Sequence, residues 1–186
     1  GGMSIEWQLL VLAGGEGRRL GGIDKGLMPI EGQPALIRLR QRFQPPHLRV
    51  SANRHLDEYR AAGLAPVVDK RGNFAGPLAG LEALLAVAKD VPAVVVPCDM
   101  PFLPHDLPAQ LLSQLQDRDT VVVAHDGERL QPLCMALWPA RWRGDLSTWL
   151  DQGHRSVHGW LEHKPLVVCH FEDAGSFRNI NTPRDL

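Results

Sequence analysis

The chain has little that would tie it to a partner through charge or covalent bonds. Only three of its 186 residues are cysteines, Cys98, Cys134 and Cys169, with no C-x-x-C spacing among them. A sparse, odd set of this kind suits reduced thiols in a cytoplasmic protein and argues against a disulfide framework. Net charge is −1, from 20 Lys and Arg against 21 Asp and Glu. General attraction to nucleic acid or to a membrane surface is therefore not expected, and any positive charge that matters must be local. No uninterrupted apolar run is long enough to span a bilayer, and no basic-then-apolar leader precedes the first expected strand. Repeats, low-complexity runs and linkers are also missing, so residues 1–186 are expected to form one domain, with Gly1-Gly2 before Met3 set aside as a cloning remnant. At 44% hydrophobic residues, that length supports a sizeable core without metal or disulfide staples.

What the chain does have is concentrated near its start. Residues 9–27 pass from an apolar strand into a loop with glycines at 14, 15, 17, 21 and 22 and with Arg18, Arg19 and Lys25. Glycines permit the tight, positive-φ turns that let successive N–H groups surround an anion, and the cations add full charge. A phosphorylated ligand is the first expectation.

The remainder alternates strand and helix. Strands are expected at 8–12, 48–52, 65–68, 93–97 and 120–124. Helices are expected after Pro34, with Leu36, Leu39 and Phe43 on one face, after Pro77, with Leu78, Leu81, Leu84 and Leu85 on one stripe, and at 107–115. The run at 93–97 has no polar alternation, the mark of a strand covered on both faces. This order predicts an α/β protein: a Rossmann-like, doubly wound, mostly parallel sheet flanked by helices. The second half reads as less regular, with a strand at 130–138, short helices at 142–150 and 157–161, a last strand at 166–170 and an extended tail at 177–186. Polar residues recur where strands end: Gly14, Asn53, Asp69 and Asp99. In open α/β sheets the ligand crevice lies beyond the carboxyl ends of the strands, so these positions are expected to share one site rather than merely to cap helices.

Two common phosphate loops fail here. A Walker loop needs G-x-x-x-x-G-K-[ST], but Lys25 is preceded by Asp24 and followed by Gly26. A dinucleotide fingerprint needs G-x-G-x-x-G and an acidic residue ending the next strand. Leu20 occupies the third glycine position, and the second strand ends in Asn53. The stretch Leu12-Ala13-Gly14-Gly15, then Arg19-Leu20-Gly21 and Asp24-Lys25-Gly26-Leu27, instead resembles the signature loop of nucleotidyltransferases. In its particular form it resembles the MobA-type molybdenum cofactor guanylyltransferases. Four further stretches agree in order: Gly76-Pro77-Leu78-Ala79-Gly80, Cys98-Asp99-Met100-Pro101-Phe102-Leu103, Gln131-Pro132-Leu133, and the terminal Asn179-Ile180-Asn181-Thr182-Pro183-Arg184-Asp185-Leu186. Leu20, where methionine is commoner, and Cys134-Met135, where a bulkier apolar or aromatic residue is expected, are small departures.

The resemblance implies transfer of GMP from GTP to the terminal phosphate of molybdopterin or the molybdenum cofactor, with release of pyrophosphate. An attacking phosphate is already ionised, so no general base is needed and positioning with charge neutralisation supplies the catalysis. Arg19, Lys25 and Asp99 are the expected catalytic residues, Asp99 as ligand to Mg²⁺, which takes one or two carboxylates with phosphate oxygens and water. The resemblance assigns Leu12, Ala13, Gly14, Gly15, Lys25, Asn53, Asp69 and Asp99 to the nucleotide. For guanine's donors the acceptor candidates are the Leu12 carbonyl, the Asn53 side-chain oxygen and the Asp69 carboxylate. Arg155, Asn179 and Asn181 are the candidates for the second substrate, and Asn181 for a second metal contact. Transient contact with proteins that deliver or accept the cofactor is also expected.

Other features read as structural. His154 and His158 stand four apart without an acidic or cysteine partner, Cys98 is a packed thiol, and Trp138, Trp142, Trp149 and Trp160 line a core or a pterin cavity rather than a nucleic-acid platform. The alternatives are a CTP-using relative acting on the same cofactor, a sugar-phosphate nucleotidyltransferase, and a nucleotide-binding regulator without turnover. The last has no need of Arg19, Lys25 and Asp99 together.

Overall fold

A computed structural model of the chain describes residues 6–13, 27–30, 32–72 and 76–180. Its first strand, β1 (Gln8–Leu12), is buried along its whole length. One polar side chain lies in it, and that amide is fully used. The Gln8 NH₂ donates to the carbonyls of Lys89 (2.8 Å) and Val91 (2.9 Å), while its oxygen accepts from the Lys89 N–H (3.0 Å). A buried amide so satisfied carries no desolvation penalty and pins the strand's start to a distant loop.

Two-residue strands β2 (Pro29–Ile30) and β3 (Gln33–Pro34) form a small antiparallel ribbon. Pro34 then caps α1 (Ala35–Phe43), which ends when Gln44 turns left-handed (φ 46°) ahead of Pro45-Pro46. There follow β4 (Leu48–Ser51), α2 (Leu56–Ala61), β5 (Pro66–Val67), α3 (Pro77–Val87) and β6 (Ala93–Pro97). After these come α4 (Leu107–Ser113), β7 (Val121–His125), β8 (Leu130–Leu137), α5 (Pro139–Asp151), α6 (Val157–Leu161) and β9 (Leu166–His170). A 3₁₀ turn, Ala174–Phe177, leads to residues 178–180.

Seven strands form one sheet in the order β5-β4-β1-β6-β8-β7-β9. All pairings are parallel except the two made by β8, which runs against β6 and β7. The mostly parallel doubly wound sheet read from the sequence is therefore the fold. The second half is more regular than expected, because β8, β7 and β9 all belong to the main sheet. A tight β7–β8 turn, closed by the Asp126 N–H to the Arg129 carbonyl at 3.0 Å, reverses β8. The alternation of apolar sequence cannot report such a reversal. Helix α2 was not expected: Tyr59 is its one buried residue, and it starts from His55 in the left-handed region (φ 57°).

Side chains alternate across β1 into two cores. Leu9 and Val11 face Leu36, Leu39, Tyr59, Leu107 and Leu111 of α1, α2 and α4. Leu10 and Leu12 face Leu78, Leu81, Leu146, Leu150 and Trp160 of α3, α5 and α6. Gly80 allows the close approach on the second face, since a Cβ there would stand 2.7 Å from the Ser51 Oγ and 3.6 Å from Leu12 Cδ2.

Candidate functional site

From β1 the chain steps outward to β4 and β5 on one side, then returns to place β6 on the other side of β1. The winding reverses beside β1, and the crevice at such a reversal opens at the carboxyl ends of the strands. Here those ends belong to β5, β4, β1 and β6, side by side and parallel. They carry Asp69, Asn53, Ala13 and Asp99 respectively. Backbone bonds lock this edge: the Ala13 N–H donates to the Ser51 carbonyl (3.0 Å), the Cys98 N–H to the Leu12 carbonyl (3.0 Å) and the Ala52 N–H to the Val67 carbonyl (3.0 Å).

Asn53 and Asp69 hold each other. The Asn53 amide donates to Asp69 Oδ2 at 2.5 Å, and its own Oδ1 accepts from the Asp69 N–H at 3.1 Å. The Arg71 N–H donates to Asp69 Oδ1 at 3.3 Å. Of the three acceptors expected for a base, the Leu12 carbonyl and the Asn53 oxygen are thus already engaged inside the protein. An ionised carboxylate has about four acceptor positions, so Asp69 keeps two after these bonds.

Asp99 follows β6, whose five residues are all buried, and is itself only partly buried. Its backbone carbonyl accepts from the Ile180 N–H at 2.7 Å. Ile180 is fully buried with Met28, Ile30 and Ala35, with Phe102 packed against them, so the segment 178–180 is folded back against the Asp99 turn. Asn179, exposed, stands immediately before that anchor. Cys134 lies close enough to feel Asp99: burial first, and then the Asp99 charge, push its thiol far above the ordinary range. Its Sγ also meets Met100 Sδ at 3.8 Å. Cys98, Cys134 and Cys169 are all buried free thiols.

Arg71 was not expected from the sequence. Its guanidinium grips Glu82 of α3 through Nε and Nη2, both at 2.7 Å, and reaches Asp151 of α5 at 2.7 Å and the Ser147 carbonyl at 3.3 Å. The hydrogen bonds to Glu82 and then Asp151 raise the guanidinium's affinity for its proton, and the same Arg71 bond lowers the Glu82 carboxyl. The one available signal was Glu82, the single charged residue in an otherwise apolar α3.

Not every expected residue joins this edge. Arg155 lies between α5 and α6, on the sheet face opposite the one against which Phe177 packs. Trp142 and Trp160 are core residues of the second face, Trp149 stacks on His154 at 4.1 Å, and Trp138 lies under Arg118 at 4.1 Å. Gly14, Gly15, Arg19, Lys25 and Asn181 lie outside the described residues. Among the described residues no three His, Cys, Asp or Glu side chains gather as a metal site. Asp99 offers one hard carboxylate at a nucleotide-sized edge, a donor suited to a hard cation that draws its other ligands from phosphate and water. No helix among the described residues is long and apolar enough to cross a membrane.

A family model described as a MobA-like NTP transferase domain matches residues 9–165. A molybdenum cofactor guanylyltransferase of Cupriavidus pinatubonensis is 40% identical over 185 residues, 95% of this chain and 92% of the relative. One from Shewanella halifaxensis is 36% identical, covering 97% and 92%. Among solved structures, molybdopterin-guanine dinucleotide biosynthesis protein A from Archaeoglobus fulgidus superposes with a TM-score of 0.74 at 24% identity, over 96% of this chain and 94% of that one. A 2-C-methyl-D-erythritol 4-phosphate cytidylyltransferase from Thermus thermophilus reaches 0.71 at 16% identity, over 95% and 93%, and shares the fold.

Proposed function

The chain belongs to the MobA-like NTP transferase family, and on that premise we propose that it transfers GMP from GTP to the terminal phosphate of molybdopterin or its molybdenum-loaded form. An oxygen of the acceptor phosphate attacks the α-phosphorus of GTP, the bond to the bridging oxygen of the β-phosphate breaks, and pyrophosphate leaves.

The observation that carries this reading is the placement of Asp69–Asn53 and Asp99 along one edge, on either side of β1. Neighbouring strands lie about 4.8 Å apart, so the ends of β4 and β6 are separated by roughly 10 Å. That is the span of a nucleoside from its base to its α-phosphate. Asp69, with two open acceptor positions and its partner Asn53 fixed, faces the donors of guanine, N1–H and the 2-amino group. Ala13 and the glycines that follow, Gly14 and Gly15, hold the triphosphate. Arg19 and Lys25 neutralise it, Lys25 nearest the reacting phosphorus. Asp99 would hold Mg²⁺, and the cation, when bound, would help neutralise the charge that builds on the α-phosphate.

Docking of the tail at Ile180 supports Asn179 and Asn181 as residues of the acceptor side, while Arg155 has the weaker claim because the fold sends it to the other face. Buried free thiols suit a reducing cytoplasm. Proteins that supply and receive the cofactor are expected partners, and residues 1–186 act as one domain.

A thermal-shift panel of GTP, CTP, ATP and UTP with Mg²⁺ tests the nucleotide, because a ligand raises the melting temperature by mass action. GTP alone should shift it strongly. A shift with CTP and none with GTP overturns the guanylyl reading and favours the cytidylyl relative.

A further inference from the structure

We infer that Arg71 is a positioning residue for base selection, acting through Asp69; this rests on the reading of Asp69 as the guanine acceptor. Strand β5 is only two residues long, and Asp69 follows it in a connection that runs to α3. So short a strand does little to hold the residues beyond it. On its inner side Asp69 makes two bonds with Asn53, one to its carboxylate and one from its N–H. On the outer side the next partly buried residue is Arg71, flanked by exposed Lys70 and by exposed Gly72 in the left-handed region (φ 74°).

Arg71 works in two directions. Its backbone N–H bonds the Asp69 carboxylate, and its guanidinium bonds two helices that are packed side by side on the sheet. The fork-on-carboxylate geometry with Glu82 fixes both the distance and the plane of the side chain, which a single point charge does not do. Arg71 and Glu82 are each largely removed from solvent, at 25% and 18% side-chain exposure, whereas Asp151 is 68% exposed. The Glu82 arm is therefore the main anchor, and Asp151 the lesser one. The consequence is that the Asp69 carboxylate is braced from two sides, by Asn53 and, through Arg71, by α3 and α5, and not by the weak end of β5.

A carboxylate that meets two donors on one base edge discriminates only while it is held still. Released, it still meets GTP but no longer counts the second donor. The test uses GTP and ITP, which lacks the 2-amino group, as substrates for Arg71→Met, Arg71→Lys and Asp151→Asn. Loss of a hydrogen bond to a charged group corresponds to about a tenfold or greater change in an equilibrium constant. Arg71→Met is expected to raise KM for GTP about tenfold with kcat within about twofold, and to bring the GTP to ITP ratio of kcat/KM close to one. Arg71→Lys, which keeps charge but not the fork, should recover only part of that ratio, and Asp151→Asn should lose a small part of it. If Arg71→Met does not fold, Asp151→Asn and Arg71→Lys still report the ratio. An unchanged GTP to ITP ratio in a folded Arg71→Met, or a fall in kcat at constant KM, overturns the inference. A wild-type protein that does not bind GTP overturns the proposed function instead.

Discussion

The Ile180 N–H donates to the carbonyl of Asp99 at 2.7 Å across 81 residues of chain. A residue just beyond the fully buried strand β6 is thus tied to the last of the described residues. The bond uses the Asp99 backbone and not its carboxylate, and it fixes the turn from which that side chain projects. Ile180 is fully buried against Met28, Ile30 and Ala35, so Ile180→Ala should cost about 2–5 kcal/mol. It should also raise the Mg²⁺ concentration needed for half-maximal turnover, read by titrating activity in parallel with the melting curve. A stability loss without any change in Mg²⁺ dependence would separate the tail from the metal site.

Removing the carboxylate itself should act the other way round. Asp99 is partly exposed, so Asp99→Ala should leave the melting temperature within a few degrees. Turnover should fall at least about a hundredfold, the usual scale for loss of one preorganised electrostatic group. Lys25→Ala should behave alike. Near-normal turnover in Asp99→Ala, measured as pyrophosphate release with GTP and the pterin acceptor, removes Asp99 from the metal site.

Much of this was legible in the sequence because strand ends are chemically marked. Asn53, Asp69 and Asp99 each close an apolar run, and the fold does bring the ends of β4, β5 and β6 to one edge. What was not legible depends on partners far along the chain. Nothing local to Leu12 or Asn53 shows that their oxygens are taken by Cys98 and Asp69. Nothing local to Arg71 shows that two helices will present Glu82 and Asp151 to it. The direction of β8 was hidden for a related reason: a short turn and a long crossover leave the same apolar pattern in the strand.

Gly80 is a packing requirement with a built-in control. In Gly80→Ala the new Cβ would stand 2.7 Å from the Ser51 Oγ and 3.2 Å from its Cβ, so α3 must lift from β4 at a cost of about 1–3 kcal/mol. Ser51 is buried, and its Oγ has no hydrogen-bond partner among the described residues, so Ser51→Ala alone should be nearly neutral. Combined, Ser51→Ala should restore part of the loss from Gly80→Ala, because the nearest clashing atom is gone. Denaturant unfolding of the four proteins in the cycle gives the coupling. Strict additivity would show that the contact does not set the spacing of α3.

Asp126 offers a prediction with a pH signature. It is buried at 3% exposure in the β7–β8 turn, and its carboxylate accepts from the N–H groups of Glu128 (2.7 Å) and Arg129 (2.9 Å) and from the Gln131 amide (2.8 Å). Burial by itself would raise its pKa, but those bonds and the nearby Arg129 outweigh it and hold the carboxyl below its ordinary value of 3.8. A folded value below the unfolded one means stability that is fully present above the unfolded pKa and is lost as pH falls through the folded pKa. Asp126→Asn keeps the shape but presents one NH₂ where an acceptor is needed, so it should cost about 1–3 kcal/mol at neutral pH. Wild type should lose stability on acidification below pH 4 more steeply than Asp126→Asn, and the gap between them should narrow there. Because Gln131 lies in the first turn-proximal pair of β8, hydrogen exchange in residues 126–131 should quicken in the variant at pH 7 while β1 stays protected. A stability gap that stays constant from pH 7 down to pH 3 would show that the ionised carboxylate is not what closes the turn.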